Sequence, residues 1–150
     1  MADGFQDGIR VSIPNRLECI KWLYPLCAGL LGELPFSEKE RHMLIVAISE
    51  GFTNAYLHGN QEKPDAEIRL IFYPGEKSLK ILIEDDAILP IKSNVNQISG
   101  SMNPERISGR GLLLMREIVD EAYYEHDSRG MNVLTLIINF ENKMKSINSF

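Results

Sequence analysis

Between Arg41 and Gly59 the apolar and small residues fall at Leu44, Ala47, Ile48, Gly51, Phe52 and Ala55, the i, i+3, i+4, i+7 spacing of a helix with one buried face. Ser37-Glu-Lys-Glu40 reads as a capping box that starts this helix, and Gly59 as its stop, because glycine accepts left-handed backbone. Upstream, Gly8 to Ile13 alternates apolar and polar side chains and predicts a short strand ended by Pro14. Asn15 with Glu18 forms an N-cap pair for the apolar segment Leu17 to Leu31. Pro25 lies inside that segment, and an interior proline costs about 3 kcal/mol in a regular helix, so a kink or two shorter helices are expected. Leu23, Leu26, Leu30 and Leu31 make it apolar around much of its girth: it is either central or supplies a subunit interface.

In the second half, Glu67 to Tyr73 and Ser78 to Glu84 alternate as strands. Pro74-Gly75 between them suits the centre of a type II turn, so the pair predicts an antiparallel hairpin. Ile68, Leu70 and Phe72 with Leu79, Ile81 and Ile83 give it an apolar face for helices to cover. From Pro90 to Ser108 the pattern lapses into Ser, Asn, Gly and Lys, a polar stretch of the length used for lids and binding loops. Leu112, Met115, Ile118, Val119 and Ala122 then mark another amphipathic helix, followed by strands over Ala122 to His126 and Asn132 to Phe140 joined through Asp127 to Gly130. This order predicts an α+β two-layer sandwich, with helices on one face of a mostly antiparallel mixed sheet. The chain reads as one domain over residues 1–150, with a core over about 8–140 and a polar tail over 141–150.

Composition narrows the function classes. A net charge of -5 and a pI near 5.2 leave no broad basic field to hold nucleic acid or anionic lipid, so neither is expected as a direct partner. Cys19 and Cys27 fit neither a metal or redox motif nor a disulfide framework and read as reduced core residues. The N-terminus lacks an apolar signal region and no run approaches membrane-spanning length, so a cytoplasmic location is expected.

Two features carry chemistry. Glu50 and Asn54 stand i, i+4 on one flank of the central helix, where a carboxylate and a carboxamide could both point at one small object such as a metal ion carrying phosphates. Taken alone, such a pair occurs by chance on many amphipathic helices. Gly109 and Gly111 open the later helix, where backbone N-H groups and the helix dipole favour an anion. A metal-dependent hydrolase built on His42, Glu50 and His58 lacks the i, i+4 histidine pair such a site uses.

The helix Glu50-x-x-x-Asn54, the acidic turn Glu84-Asp85-Asp86, the polar stretch and Gly109-x-Gly111-Leu112 occur here in the order found in the ATP-binding fold shared by gyrase, histidine kinases and MutL. Within that fold the chain resembles the small bacterial anti-sigma-factor serine kinases: Ala47 to Gly59 is similar to their N-box and Gly109 to Glu121 to their second glycine box. The resemblance implies ATP and Mg²⁺ as cofactors, a homodimer, and a sigma factor and/or an anti-sigma-factor antagonist as partner. It implies that Asn54 holds Mg²⁺, that Glu50 accepts or orients the proton of an attacking serine hydroxyl, and that Asp85 accepts a hydrogen bond from the adenine amino group. Ala87, Gly109, Gly111, Leu112 and Met131 fall at further nucleotide-binding positions, and Arg106 or Arg110 would pair with the γ-phosphate.

The chain departs from the family pattern at two places. The first glycine box, usually D-x-G-x-G, reads Asp85-Asp86-Ala87-Ile88-Leu89. The usual Gly-Thr of the last hairpin is Gly130-Met131, which removes an expected partner of Asp85. These substitutions support an alternative, a non-catalytic partner-switching module of the same fold with a degenerate ATP site.

Overall fold

The computed structural model describes residues 7–87 and 117–140. Five strands, β1 (Ile9–Pro14), β2 (Glu67–Pro74), β3 (Ser78–Asp85), β4 (Glu121–His126) and β5 (Asn132–Asn139), form one sheet in the order β1-β2-β3-β5-β4. All four pairings are antiparallel. Helices α1 (Ile20–Leu31) and α2 (Glu38–Asn54) cover one face. This is the expected α+β two-layer architecture.

Register explains the core. Leu70 pairs with Ile83 and Phe72 with Ile81, and across β3 the same residues pair with Leu134 and Leu136 of β5. These side chains are buried, as strand alternation requires of one face under helices. The next position in the β3 row is Asp85, a carboxylate at the end of an otherwise apolar stripe. Helix α2 presents Leu44, Ile48, Gly51 and Phe52 to this row. A β-carbon on Gly51 would collide with Ile83 and lie 3.0 Å from Leu134, so glycine sets how closely α2 approaches the central strands.

The ends of α2 are built by different means. At its start Glu40 N donates to Ser37 Oγ at 3.1 Å and Ser37 N to Glu40 Oε1 at 2.9 Å, the reciprocal capping box expected from the sequence. At its end the helix widens into one π turn, Ala55–Gly59, closed by Asn60 N donating to the Ala55 carbonyl at 2.7 Å. Gly59 is not the left-handed stop; that backbone falls on Gln61 and Glu62, with φ of 49° and 60°. Glycine is needed at 59 for close approach, because a β-carbon there would collide with the Asp85 carboxylate.

Other local expectations are corrected. Helix α1 runs through Pro25 as one helix, and the irregularity falls earlier, in a 3-10 turn over Leu17–Cys19. Asn15 caps nothing: it is buried, donates to the Lys63 carbonyl at 2.9 Å and accepts from Asn60 Nδ2 at 3.2 Å. Gly130 is the glycine with positive φ among the described residues, so Gly75 is not at the left-handed position of a type II turn. The β2–β3 turn instead centres on Glu76-Lys77, with Gly75 N donating to the Ser78 carbonyl at 2.8 Å. Pro14 belongs to β1, where an edge strand tolerates it. Ala122 belongs to β4, the helix having ended before Val119. Cys27 lies in the core, its thiol pushed up to about 12 by burial, and both cysteines are free. No helix among the described residues is long and apolar enough to cross a membrane.

The β4–β5 turn is held by Asp127, whose Oδ1 accepts from Arg129 N at 2.9 Å and Met131 N at 3.0 Å. Burial acts to raise its pKa, but these donors and the Arg129 side chain outweigh it and hold the carboxyl below its usual range. A depressed folded pKa gives stability that is complete above the unfolded value, about 3.9, and lost as pH falls through the lower folded value. Asp127→Asn is therefore expected to destabilise the protein near neutral pH, with the difference shrinking below about pH 4; urea titrations across pH would show it. In the core, Gly51→Val is expected to cost about 1–3 kcal/mol. Gly29→Ala in α1, where a β-carbon meets nothing within 4 Å, should be neutral or stabilising in the same assay.

Candidate functional site

Glu50 and Asn54 lie one turn apart at the end of α2, Glu50 half-buried and Asn54 5% exposed. The π turn then carries the chain onto the end of β3, where the Gly59 backbone lies against the Asp85 carboxylate. The π turn thus joins the helix end that carries Glu50 and Asn54 to the strand end that carries Asp85 and Ala87.

Asp85 is 3% exposed, and a buried carboxylate needs donors. Its Oδ1 accepts from Asn132 Nδ2 at 2.9 Å and from Ala87 N at 2.8 Å. The second bond requires the chain to turn back sharply after Asp86, and Ala87 adopts φ 55°, a left-handed conformation that favours glycine. Asp86, pointing the other way, accepts from Glu67 N at 2.8 Å and from Arg69 Nη2 at 2.9 Å. Its own N-H donates to Asn60 Oδ1 at 2.8 Å. Asn60, fully buried, also donates to the Glu67 carbonyl at 2.9 Å, and so ties the helix end to the segments flanking β1 and β2.

Asn54 differs from its neighbours. Its Nδ2 is buried and has no hydrogen-bond partner among the described residues. An unsatisfied buried amide costs about 1–3 kcal/mol and is rare away from binding sites. No group of three His, Cys, Asp or Glu side chains able to hold a metal occurs among the described residues. A cation here would draw its remaining ligands from phosphate oxygens and water, which is how Mg²⁺ is usually held. A carboxamide with an unused donor, a carboxylate one turn away and a second carboxylate against a glycine suit a phosphorylated ligand carrying Mg²⁺.

Residues 25–138 match the histidine kinase-like ATPase domain family. The chain belongs to this family. It is similar to serine-protein kinase RsbW of Bacillus mycoides, 28% identical over 132 residues, covering 84% of this chain and 81% of the relative. RsbW proteins of Bacillus cereus and Bacillus thuringiensis are each 27% identical over 135 residues, with the same coverage.

Of the expected site residues, Glu50 and Asn54 share the end of α2, and Asp85 and Ala87 share the end of β3; Arg106, Gly109, Arg110, Gly111 and Leu112 lie outside the described residues. Met131 is with neither pair. Strand alternation turns it to the opposite face of the sheet, where its sulfur lies 3.4 Å from Arg69 Nη2. That face carries an ion-paired cluster in which buried Glu84 accepts from Arg69 Nε at 3.3 Å and Arg129 Nη2 at 2.8 Å. Glu84 and Asp127 beside it raise the Arg129 pKa above its already high value.

The residue that reaches Asp85 from β5 is Asn132, one position beyond Met131. Sequence reasoning misses it, although the β3–β5 alternation that puts Ile83 opposite Leu134 also puts Asp85 opposite position 132. Asn60 is missed as well: an asparagine after the last glycine of a helix looks like an ordinary terminus.

The strain at Ala87 is testable. Ala87→Gly is expected to raise stability by about 1 kcal/mol, because glycine adopts left-handed backbone without the β-carbon clash. Chemical denaturation of the two proteins side by side measures it.

Proposed function

We propose that this protein binds ATP with Mg²⁺ and transfers the γ-phosphoryl group to a serine hydroxyl on a partner protein, acting as an anti-sigma-factor-type regulator. The observation that carries this reading is the buried, unpartnered Nδ2 of Asn54, a donor available to a phosphate oxygen, one turn from Glu50 and joined by the π turn to the strand end that holds Asp85. Family membership and the similarity to serine-protein kinases support it.

In this reading Asp85 accepts a hydrogen bond from the adenine amino group, and Asn54 Oδ1 is the protein's ligand to Mg²⁺. The cation, when bound, supplies charge neutralisation between the phosphates. Glu50 takes the proton of the attacking serine as its oxygen bonds to the γ-phosphorus; the bond from phosphorus to the bridging oxygen breaks and ADP departs. Gly109, Gly111 and Leu112 would place backbone N-H groups near the phosphates, with Arg106 or Arg110 on the γ-phosphate. Positioning and electrostatics supply most of the catalysis in such a transfer, so a short set of side chains suffices.

The partner is a protein, a sigma factor and/or its antagonist, and the regulator works as a homodimer. Exposed apolar side chains on α1 support a protein partner: Trp22 is 62% exposed and Tyr24 49%. A second reading, a non-catalytic module of the same fold, is favoured by the strained Ala87 that stands where the family has glycine.

Titration calorimetry with ATP, with and without Mg²⁺, separates the two. Micromolar, Mg²⁺-dependent binding that is lost in Asp85→Asn is expected; no heat and no thermal shift at millimolar ATP would leave only the binding module. Glu50→Gln is expected to retain Mg-ATP affinity within about threefold while phosphoryl transfer falls about 10²–10⁴-fold. Asn54→Ala should weaken Mg²⁺-dependent binding about tenfold or more. Equal affinity and turnover in both variants would remove these roles.

A further inference from the structure

Asn132 opens β5 directly opposite Asp85, and both side chains are buried on the helix-bearing face. A carboxylate only accepts hydrogen bonds, so the amide must turn its NH₂ towards Asp85, as observed at 2.9 Å. The amide oxygen then faces β4, 3.4 Å from Nδ1 of His126, the register partner of Asn132. With Ala87 N on the same oxygen at 2.8 Å, Asp85 Oδ1 is held from two sides, by a neighbouring strand and by the chain leaving its own. Behind it the Gly59 backbone closes the space, as the collision of any β-carbon there demonstrates. The terminal torsion of an aspartate is otherwise broad and roughly two-fold, so the carboxylate owes its fixed orientation to these contacts.

We propose that Asn132 is a positioning residue that fixes Asp85 as a hydrogen-bond acceptor towards the nucleobase, and so sets a preference for a purine with an amino group at C6 over one with a carbonyl there. The proposal rests on the reading of Asp85 as the base contact and adds the residue that makes that contact selective. A 6-amino group donates to a fixed carboxylate; a 6-oxo group brings a second acceptor against it, and both lone pairs lose their water without gaining a donor. A carboxylate released from Asn132 can turn away from the base, and the penalty on the 6-oxo purine falls. Met131, on the other face, has no part in this.

The test compares Mg-ATP with Mg-ITP, which differ at this position of the base, by titration calorimetry on the full chain. Asn132→Thr and Asn132→Val are similar in shape and both suit a strand, but only threonine keeps a donor; Asn132→Ala is carried in parallel in case the valine variant does not fold. Wild type is expected to prefer ATP by about tenfold or more. Valine or alanine should reduce the ratio to about twofold or less, as ATP loses its acceptor and the penalty on ITP falls, and threonine should retain part of the preference. Weakening of both nucleotides with an unchanged ratio would make Asn132 merely structural and overturn the proposal, leaving the nucleotide site intact. Binding of neither nucleotide by wild type would overturn the ATP reading and this proposal with it.

Discussion

The close approach of α2 to the central strands is the constraint on which the rest of the molecule depends. Gly51 sets it at the middle of the contact, against Ile83 and Leu134, and Gly59 sets it at the end, against Asp85. Apolar packing accounts for the first contact and polar matching for the second. Because helix and strand are already held together by the core row of β3, the last position in that row can carry a charge and still be enclosed. A buried carboxylate in this place would be strongly destabilising without its donors, and every donor described comes from a segment whose own position depends on the same packing.

The end of β3 shows how three consecutive acids are reconciled with burial. Alternation sends Glu84 to the arginine-bearing face, where Arg69 and Arg129 neutralise it. Asp85 turns to the helices and is held by an amide and a backbone N-H. Asp86, just past the end of β3, meets Arg69 and the start of β2. Each carboxylate has its own donors, and none needs to share a proton with the next. The left-handed Ala87 is a cost of this arrangement: the sharp return that brings its N-H to Asp85 requires the conformation whether or not glycine is present.

Periodicity makes the architecture legible. The helix faces, the two hairpins and the capping box at Ser37 can be read from spacing alone, since they depend on residues near in sequence. The resemblance locates Glu50, Asn54 and Asp85, and the structure places the last in a separate element that folds onto the helix end. The illegible features depend on register and long-range partners. Asn15 looks like a cap because its contacts with Lys63 and Asn60 are invisible locally. Met131 matches a family threonine by its place after a glycine, but which face of β5 it occupies is decided by the pairing of Asp85 with Asn132. Pro25 has the sequence signature of a helix break, yet the helix holds together through Leu23, Cys27 and Leu31 on its buried side.

The π turn at 55–59 gives the chain an unusual sensitivity to length. A π turn contains one more residue than the α-helical turn it replaces, and that extra residue rotates the downstream chain by about 100° about the helix axis relative to a continued α-helix. Gly59 meets Asp85, and Asn60 meets Asn15, Glu67 and Asp86, only with that offset in place. Shortening the segment by one residue would let α2 continue as regular helix with every core contact up to Phe52 intact. It would also turn a side chain towards the Asp85 carboxylate and carry Asn60 away from the strands. The apolar contacts up to Phe52 and the polar contacts from Gly59 onward therefore depend differently on the length of these five residues, the first set being fixed before the offset and the second only by it.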